Sequence, residues 1–159
     1  MQIALSAFFE YLESASLSSA IRQSSWLYPF IEILHLLGIV LVAGGASLFD
    51  FRILSGRYNY LSPENLSLLA WSKRGLLLAI PSGILLFITN AVALSGDPVM
   101  WSKLILLGAA GLNAWIFHVR LRRPYKTGIE PGRRKAAVHA VFSLLLWTSI
   151  IACGRLLAY

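Results

Sequence analysis

Residues 27–49 read LYPFIEILHLLGIVLVAGGASLF, and this stretch decides the fold class. Glu32 is its only acidic side chain, and a helix needs about 20 apolar residues to cross a bilayer. The stretch therefore predicts a membrane-spanning helix. The whole chain agrees, since 57% of its 159 residues are hydrophobic, 13% are charged and the mean hydropathy is +0.69. Soluble domains carry about 25% charged residues, so the composition indicates an all-α integral membrane protein.

Three further apolar segments are long enough to cross a bilayer. The four predicted spans cover residues 27–49, 75–94, 101–119 and 136–158. Together they predict one four-helix membrane bundle over residues 26–159. Residues 95–98 read SGDP, which is a turn by composition, so we expect the second and third spans to form an antiparallel hairpin.

Residues 1–25 differ from the predicted spans, because Glu10, Glu13 and several serines interrupt their apolar positions. Phe8, Tyr11 and other apolar side chains fall on one helical face. This pattern predicts an amphipathic helix that lies in the membrane interface. The segment lacks the basic start and the continuous apolar core of a signal peptide, so we do not expect cleavage.

The charge distribution predicts the orientation. Lys and Arg number 14 against 7 Asp and Glu, which gives a net charge of +7. In a soluble protein this excess would suggest nucleic acid, but here eleven of the fourteen basic residues fall in the first and third loops. The positive-inside rule places these loops in the cytoplasm and both termini on the periplasmic side of a bacterial inner membrane. The expected partner is the lipid bilayer, and no nucleic acid is expected.

The first span contains ionisable groups that lipid should exclude, so they are functional candidates. Glu32 and His35 lie three residues apart on one helical face, and Gly38 and Gly45 continue that face. One interpretation is helix packing together with a Glu–His pair. The other is a cofactor ligand, His35, oriented by Glu32, with Gly45 on a face that admits a flat ligand.

Two other histidines, His118 and His139, lie near the predicted cytoplasmic ends of the third and fourth spans. At 1.5 Å per residue, His35 differs in depth from His118 by about 12 Å. The depth therefore favours His118 with His139 as a bis-histidine pair, and the alternative is two histidines at the membrane interface. Asn113 and Trp147 are expected at the depth of His35.

The remaining charged residues are assigned topological roles. Asp50 and Arg52 close the first predicted span, which leaves Glu32 as the only acidic residue inside a span and excludes a carboxylate di-iron site. No metal site is predicted. Arg155 lies near Glu32 in depth, so we expect a contact between these two side chains.

Three stretches resemble an uncharacterised bacterial family of four-helix membrane proteins that has a domain-of-unknown-function label. They are residues 26–56, residues 111–118 (GLNAWIFH) and residues 143–159 (SLLLWTSIIACGRLLAY). The resemblance rests on Glu32, His35, Gly38, Gly45, Asp50, Arg52, Asn113, His118, Trp147, Gly154, Arg155 and Tyr159. More distantly, the first-span histidine, the glycines after it and the basic inner end are similar to two other groups. These are the bacterial membrane protoporphyrinogen oxidase, which binds haem b, and the copper-resistance D-type membrane domain. These resemblances imply a redox or metal-related role in the membrane.

Two functions from different classes follow. The first is a b-type haem or quinone-linked electron-transfer protein, with haem b as the expected cofactor and a quinone or redox protein as partner. Its candidate cofactor-binding residues are His35, His118, Glu32, Gly45 and Asn113, with His139 as an alternative ligand. The second is a non-catalytic membrane subunit or a small-solute or ion handling protein without a cofactor. Four helices are few for a transporter, so this function requires a homo-oligomer. The sequence leaves open whether the protein is an enzyme, and a purely structural role for His35 also fits.

Overall fold

The computed structural model describes residues 2–56, 62–122 and 133–157. All regular structure in these ranges is helical, which confirms the predicted all-α class. The helices are α1 (Gln2–Ser14), α2 (Ser16–Gln23), α3 (Leu27–Leu54), α4 (Pro63–Thr89), α5 (Ala91–Gly96), α6 (Pro98–Phe117) and α7 (Arg133–Leu156), and a π-helix (His118–Arg122) extends α6. Four helices are long and apolar enough to cross a membrane: Leu27–Leu54, Pro63–Thr89, Pro98–Arg120 and Arg133–Leu156.

The bounds of α4 differ from those of the predicted span 75–94. Ser62 caps the helix by accepting a hydrogen bond from the backbone N–H of Asn65, and Pro63 occupies its first turn, which are strong start signals. Lys73 and Arg74, assigned to a loop by hydropathy, therefore lie on α4. Hydropathy misses a helix start whose first turns are polar, whereas the cap residues identify it.

α3 extends past the predicted end at residue 49 and ends at Leu54. Gly56 follows with a φ of +79°, a left-handed conformation that terminates helices and favours glycine. Asp50 is therefore a residue of the helix body, and only 6% of it is exposed. The expectation that Glu32 is the only acidic residue within a span was wrong for this reason.

Glycines set the contact between α3 and α4. A Cβ atom on Gly38 would lie 2.6 Å from the backbone N of Ala79, and one on Gly75 would lie 2.8 Å from the carbonyl O of Gly38. A Cβ on Gly45 would collide with the side chain of Ser72. Small residues let helix backbones approach in this way. The glycine face of α3 is thus covered by α4, as the packing interpretation predicts.

The long helices follow one another in the order α4, α3, α7, α6. α3 packs along α4 and α7, and α7 packs along α6. In the part of the chain that the structure describes, α4 and α6 do not pack along each other. The second and third spans are antiparallel as expected, but the short helix α5 separates α4 from α6, so the two helices are not packed neighbours. We call the end where α3 and α6 finish and α4 and α7 begin the basic end, since Arg52, Arg120 and Arg133 lie there.

Two apolar clusters lie between α7 and its neighbours. The cluster toward the basic end comprises Phe49, Ile53, Ala136 and Ala140. The second cluster joins α6 to α7 and comprises Ala110, Leu146 and Ile150. Both clusters use alanines at helix contacts, so the backbones of these helices also approach closely.

The N-terminal segment forms two helices where one was expected, and they fold onto the ends of α4 and α5. Arg22 on α2 forms an ion pair with Glu13 on α1, with 2.9 Å between Nη1 and Oε1, and also donates to the carbonyl O of Thr89. The other carboxylate oxygen of Glu13 accepts a hydrogen bond from the backbone N of Val92. These bonds satisfy backbone groups that the break between α4 and α5 leaves without helical partners.

The glycine contact gives a test with a matched control. We expect Gly38→Ala to lower the free energy of unfolding by about 1–3 kcal/mol, because overpacking against a backbone has a cost of this size. A Cβ on Gly108 in α6 would meet nothing within 4 Å, so Gly108→Ala should leave stability unchanged or raise it by up to about 1 kcal/mol. Unfolding in mixed detergent and SDS micelles measures both. Equal effects of the two substitutions would contradict the α3–α4 contact.

Candidate functional site

His35 is held by α4. Its Nδ1 atom lies 3.0 Å from the carbonyl O of Ala79 and 3.1 Å from the Oγ of Ser82. Gly83 leaves space for the imidazole ring, since a Cβ atom at this position would lie 2.8 Å from Cε1 of His35. A backbone carbonyl only accepts hydrogen bonds, so Nδ1 carries the proton in the neutral ring. Nε2 then presents a lone pair that a proton, a metal or a hydrogen-bond donor can use.

Lys103 of α6 belongs to the same layer. The residue is half-buried and lies within electrostatic range of the His35 ring. A Cβ on Gly154 of α7 would lie 3.8 Å from the Lys103 Nζ atom. Among the residues that the structure describes, no hydrogen bond or ion pair involves this ammonium group. The layer therefore contains a cation without a protein counter-charge.

We call His35, Ser82, Lys103, Cys153 and Gly154 the His35 layer. Its residues come from all four long helices. α4 and α6, which both contribute to it, do not pack along each other, so the layer is not closed between these two helices. The arrangement can donate hydrogen bonds from Lys103 and accept one at Nε2 of His35.

Glu32 does not orient His35 as predicted. The bonds of the imidazole go to Ala79 and Ser82 on α4, and Glu32 is exposed. The predicted Glu32–Arg155 contact stays a prediction. Glu32 lies on a surface of α3 that neither α4 nor α7 covers.

His139 is held by a reciprocal pair of hydrogen bonds with Asn113 of α6. The amide N of Asn113 donates to the carbonyl O of His139 at 3.2 Å, and the Nδ1 of His139 lies 2.7 Å from Oδ1 of Asn113. Because Oδ1 only accepts, Nδ1 of His139 carries the proton, and Nε2 again presents a lone pair. The Phe117 ring packs edge-on against the imidazole, with 6.1 Å between the ring centroids.

The two histidines lie in different layers. Phe117 packs on Phe49 of α3 with 5.6 Å between ring centroids, which places His139 near the level of Phe49. His35 precedes Phe49 by fourteen residues, or about 21 Å along a helix. The two imidazoles therefore cannot bind one iron. We call Asn113, Phe117, His139 and Phe49 the His139 layer.

The other predicted site residues are distributed between these layers. Asn113 was expected at the depth of His35, but it bonds to His139. Trp147 packs beside the cluster of Ala110, Leu146 and Ile150. His118 follows Phe117 and begins the π-helix, a local geometry that is frequent at functional sites. The pairing of His118 with His139 stays a prediction.

Several polar residues of these layers did not emerge from the sequence as site candidates. Ser82 follows the helix-interior Pro81, and its hydroxyl bonds to carbonyls of the preceding turn and to His35. Lys103 interrupts the apolar stretch of the third span, which is itself a signal. Within the described ranges, no group of three or more His, Cys, Asp or Glu side chains could hold a metal ion.

A comparison with protein families assigns the chain to one of them. The family of unknown function DUF6644 matches residues 8–159. The chain belongs to this family. The resemblance to an uncharacterised family is thereby confirmed for nearly the whole chain. No curated protein and no solved structure matches it, and the more distant likeness to membrane protoporphyrinogen oxidase and to the copper-resistance domain has no support. The proposed functions of this DUF6644 member therefore rest on the residues of the His35 layer and the His139 layer.

The bonds between Asn113 and His139 predict one imidazole tautomer. With ¹⁵N-labelled histidine, the NMR signals of His139 should show a protonated Nδ1 and an unprotonated Nε2 at neutral pH. Asn113→Leu should abolish this fixed tautomer, and it should lower stability by about 1–2 kcal/mol because two polar groups lose their partner. The signals of His35, about 21 Å away, serve as the internal control. A protonated Nε2 in wild-type His139 would contradict the assigned bonds.

Proposed function

We propose that this DUF6644 member is a multi-pass membrane protein of the bacterial inner membrane that binds a quinone head group at the His35 layer for electron transfer. The observation that supports this most directly is that Lys103 lies within electrostatic range of His35, on a helix that does not pack along α4, and forms no ion pair with a described residue. Such a pair suits an oxygen-rich, electron-accepting ligand.

The chemistry of a quinone matches these two groups. Its carbonyl oxygens accept hydrogen bonds and gain negative charge on reduction, so an ammonium group stabilises the reduced form more than the oxidised form. Nε2 of His35 can accept a proton from a quinol, since Nδ1 is already committed to Ala79. The aliphatic side chains around the layer suit the ring, and an isoprenoid tail can lie in the lipid.

The proposed membrane setting rests on the four apolar helices and on the charge count. Eleven of fourteen Lys and Arg residues lie between the first and second or between the third and fourth apolar segments of the sequence. The positive-inside rule then assigns the basic end to the cytoplasm and both termini to the periplasm. In this orientation the His35 layer faces the periplasmic half of the bilayer.

The quinone proposal predicts a loss of affinity on removing the ammonium group. Lys103→Gln should weaken binding of decylubiquinone to the detergent-solubilised protein by about 10- to 100-fold, because a hydrogen bond to a charged group contributes about 1.5–3 kcal/mol. Quenching of tryptophan fluorescence measures the affinity, and Trp101 lies two residues from Lys103.

Lys135→Gln is the matched control, since it removes the same charge from an exposed position at the basic end. It should leave the affinity for decylubiquinone unchanged. Equal affinities of wild type and Lys103→Gln would overturn the proposed site. No saturable binding to wild type would overturn the function and favour a subunit or solute-handling protein without a cofactor.

A second candidate is binding of haem b, and it is favoured by the bonds between Asn113 and His139. A haem-ligating histidine commonly donates its other ring N–H to an acceptor that fixes its orientation, and Asn113 does this for His139. The residues fit in part only: His139 offers an axial ligand, but Gly38 and Gly45 are covered by α4 and leave no slot for a flat ring. Haem would supply one-electron transfer, with His139 as its ligand.

The haem candidate predicts a spectrum. Protein purified from haem-replete cells should show a Soret band that shifts on reduction with dithionite. His139→Leu should remove the band, whereas His35→Leu in the other layer should retain it. A colourless wild-type preparation would exclude haem. Retention of the band in His139→Leu would show that a residue other than His139 is the ligand.

A further inference from the structure

Asp50 is an unusual residue for its position in α3. Only 6% of it is exposed, and it lies four residues before the end of the helix at Leu54. Among the described residues, its Oδ2 is the one buried side-chain polar atom without a hydrogen-bond partner. Buried polar groups are nearly always hydrogen-bonded, so this atom requires an explanation.

Asp50 lies beside buried apolar residues and near one hydroxyl group. Phe49, Ile53 and Ala140 belong to the buried cluster beside it. The hydroxyl group is that of Ser143 of α7, which lies within hydrogen-bonding reach of the carboxyl group. A single hydroxyl cannot replace the hydration of a carboxylate, whose transfer to an apolar interior is very unfavourable unless it is paired or neutralised.

Three side chains near the basic end that could pair with a carboxylate have other contacts. Arg52 on α3 donates to Oδ1 of Asn65 on α4 at 3.2 Å, and the guanidinium of Arg133 on α7 lies against Gly56. His139 on α7 bonds to Asn113. None of these groups, nor His118 after α6, forms an ion pair with Asp50 in the described ranges.

We propose that Asp50 and Ser143 form a proton-binding site, in which Asp50 carries a proton at neutral pH and exchanges it with water at the basic end. The proton neutralises the carboxylate without requiring further ligands. A sodium ion would need several more oxygen ligands than one carboxyl and one hydroxyl group, and the described residues hold no metal-binding group of three acidic, His or Cys side chains.

The position of Asp50 allows this exchange. Four residues of helix separate it from the end of α3, or about 6 Å, so water at the basic end is close. Ser143 can accept a hydrogen bond from the protonated acid or donate one to the carboxylate, so it stabilises both forms. The site is about 22 Å along α3 from His35, and it does not depend on the proposed quinone function.

Infrared spectroscopy tests the site directly, because the chain has only two aspartates, Asp50 and Asp97. Protein labelled with ¹³C at the aspartate carboxyl is reconstituted in vesicles of phosphatidylethanolamine and phosphatidylglycerol. We expect one protonated-carboxyl C=O band at neutral pH that shifts in D₂O. Asp50→Asn should remove it and Ser143→Ala should shift its frequency.

Asp97→Asn is the matched control, since Asp97 caps α6 by accepting from the backbone N of Val99. It should leave the band unchanged. Absence of a protonated band at neutral pH in the labelled wild type would overturn the proposal, even where Asp50→Asn fails to fold. Loss of the band when sodium replaces choline in the buffer would also overturn the proposal, in favour of a cation site. The amide introduced by Asp50→Asn resembles the neutral acid in shape and charge. The thermal unfolding midpoint of this variant should therefore equal or exceed that of wild type.

Discussion

The close backbone contact between α3 and α4 is the constraint on which the rest of the structure depends. Gly38 and Gly75 leave no space for a Cβ atom between the two helices. This contact brings the carbonyl O of Ala79 within 3.0 Å of Nδ1 of His35. If the helices were one methyl group further apart, His35 would lose the acceptor that fixes its tautomer. The glycines therefore position the histidine rather than a flat cofactor.

The sequence predicts which segments are helical better than it predicts which helices pack together. Four apolar segments gave four helices, because hydrophobicity and length are local properties. The partner of His35 could not be derived in the same way. Glu32 is three residues away on the same helix, whereas Ser82 is 47 residues away and reaches His35 only through the glycine contact. Helix order is likewise non-local: α4 and α6 adjoin in sequence but do not pack along each other.

Large differences in depth were predicted correctly, whereas depths that depend on where a helix begins or ends were not. His35 and His139 differ in level, as the sequence suggests. Asn113 was assigned to the wrong level because the third span was counted from Trp101, whereas α6 begins at Pro98 with Asp97 as its cap. Asp50 was assigned to a helix end because hydropathy falls there, although the backbone continues in helical form to Leu54.

Lys103 and Asp50, which form no ion pair with a described residue, cannot compensate each other. Lys103 lies near the level of His35, and Asp50 is about 22 Å from that level. At an effective dielectric constant of 20, opposite charges separated by this distance attract by only about 0.8 kcal/mol, compared with about 4 kcal/mol at 4 Å. Each charge therefore has to be neutralised locally. For Asp50 the smallest available neutralising group is a proton, which requires no further ligands. For Lys103 the proposed neutralising group is an electron-rich oxygen of a ligand bound between α4 and α6, which do not pack along each other.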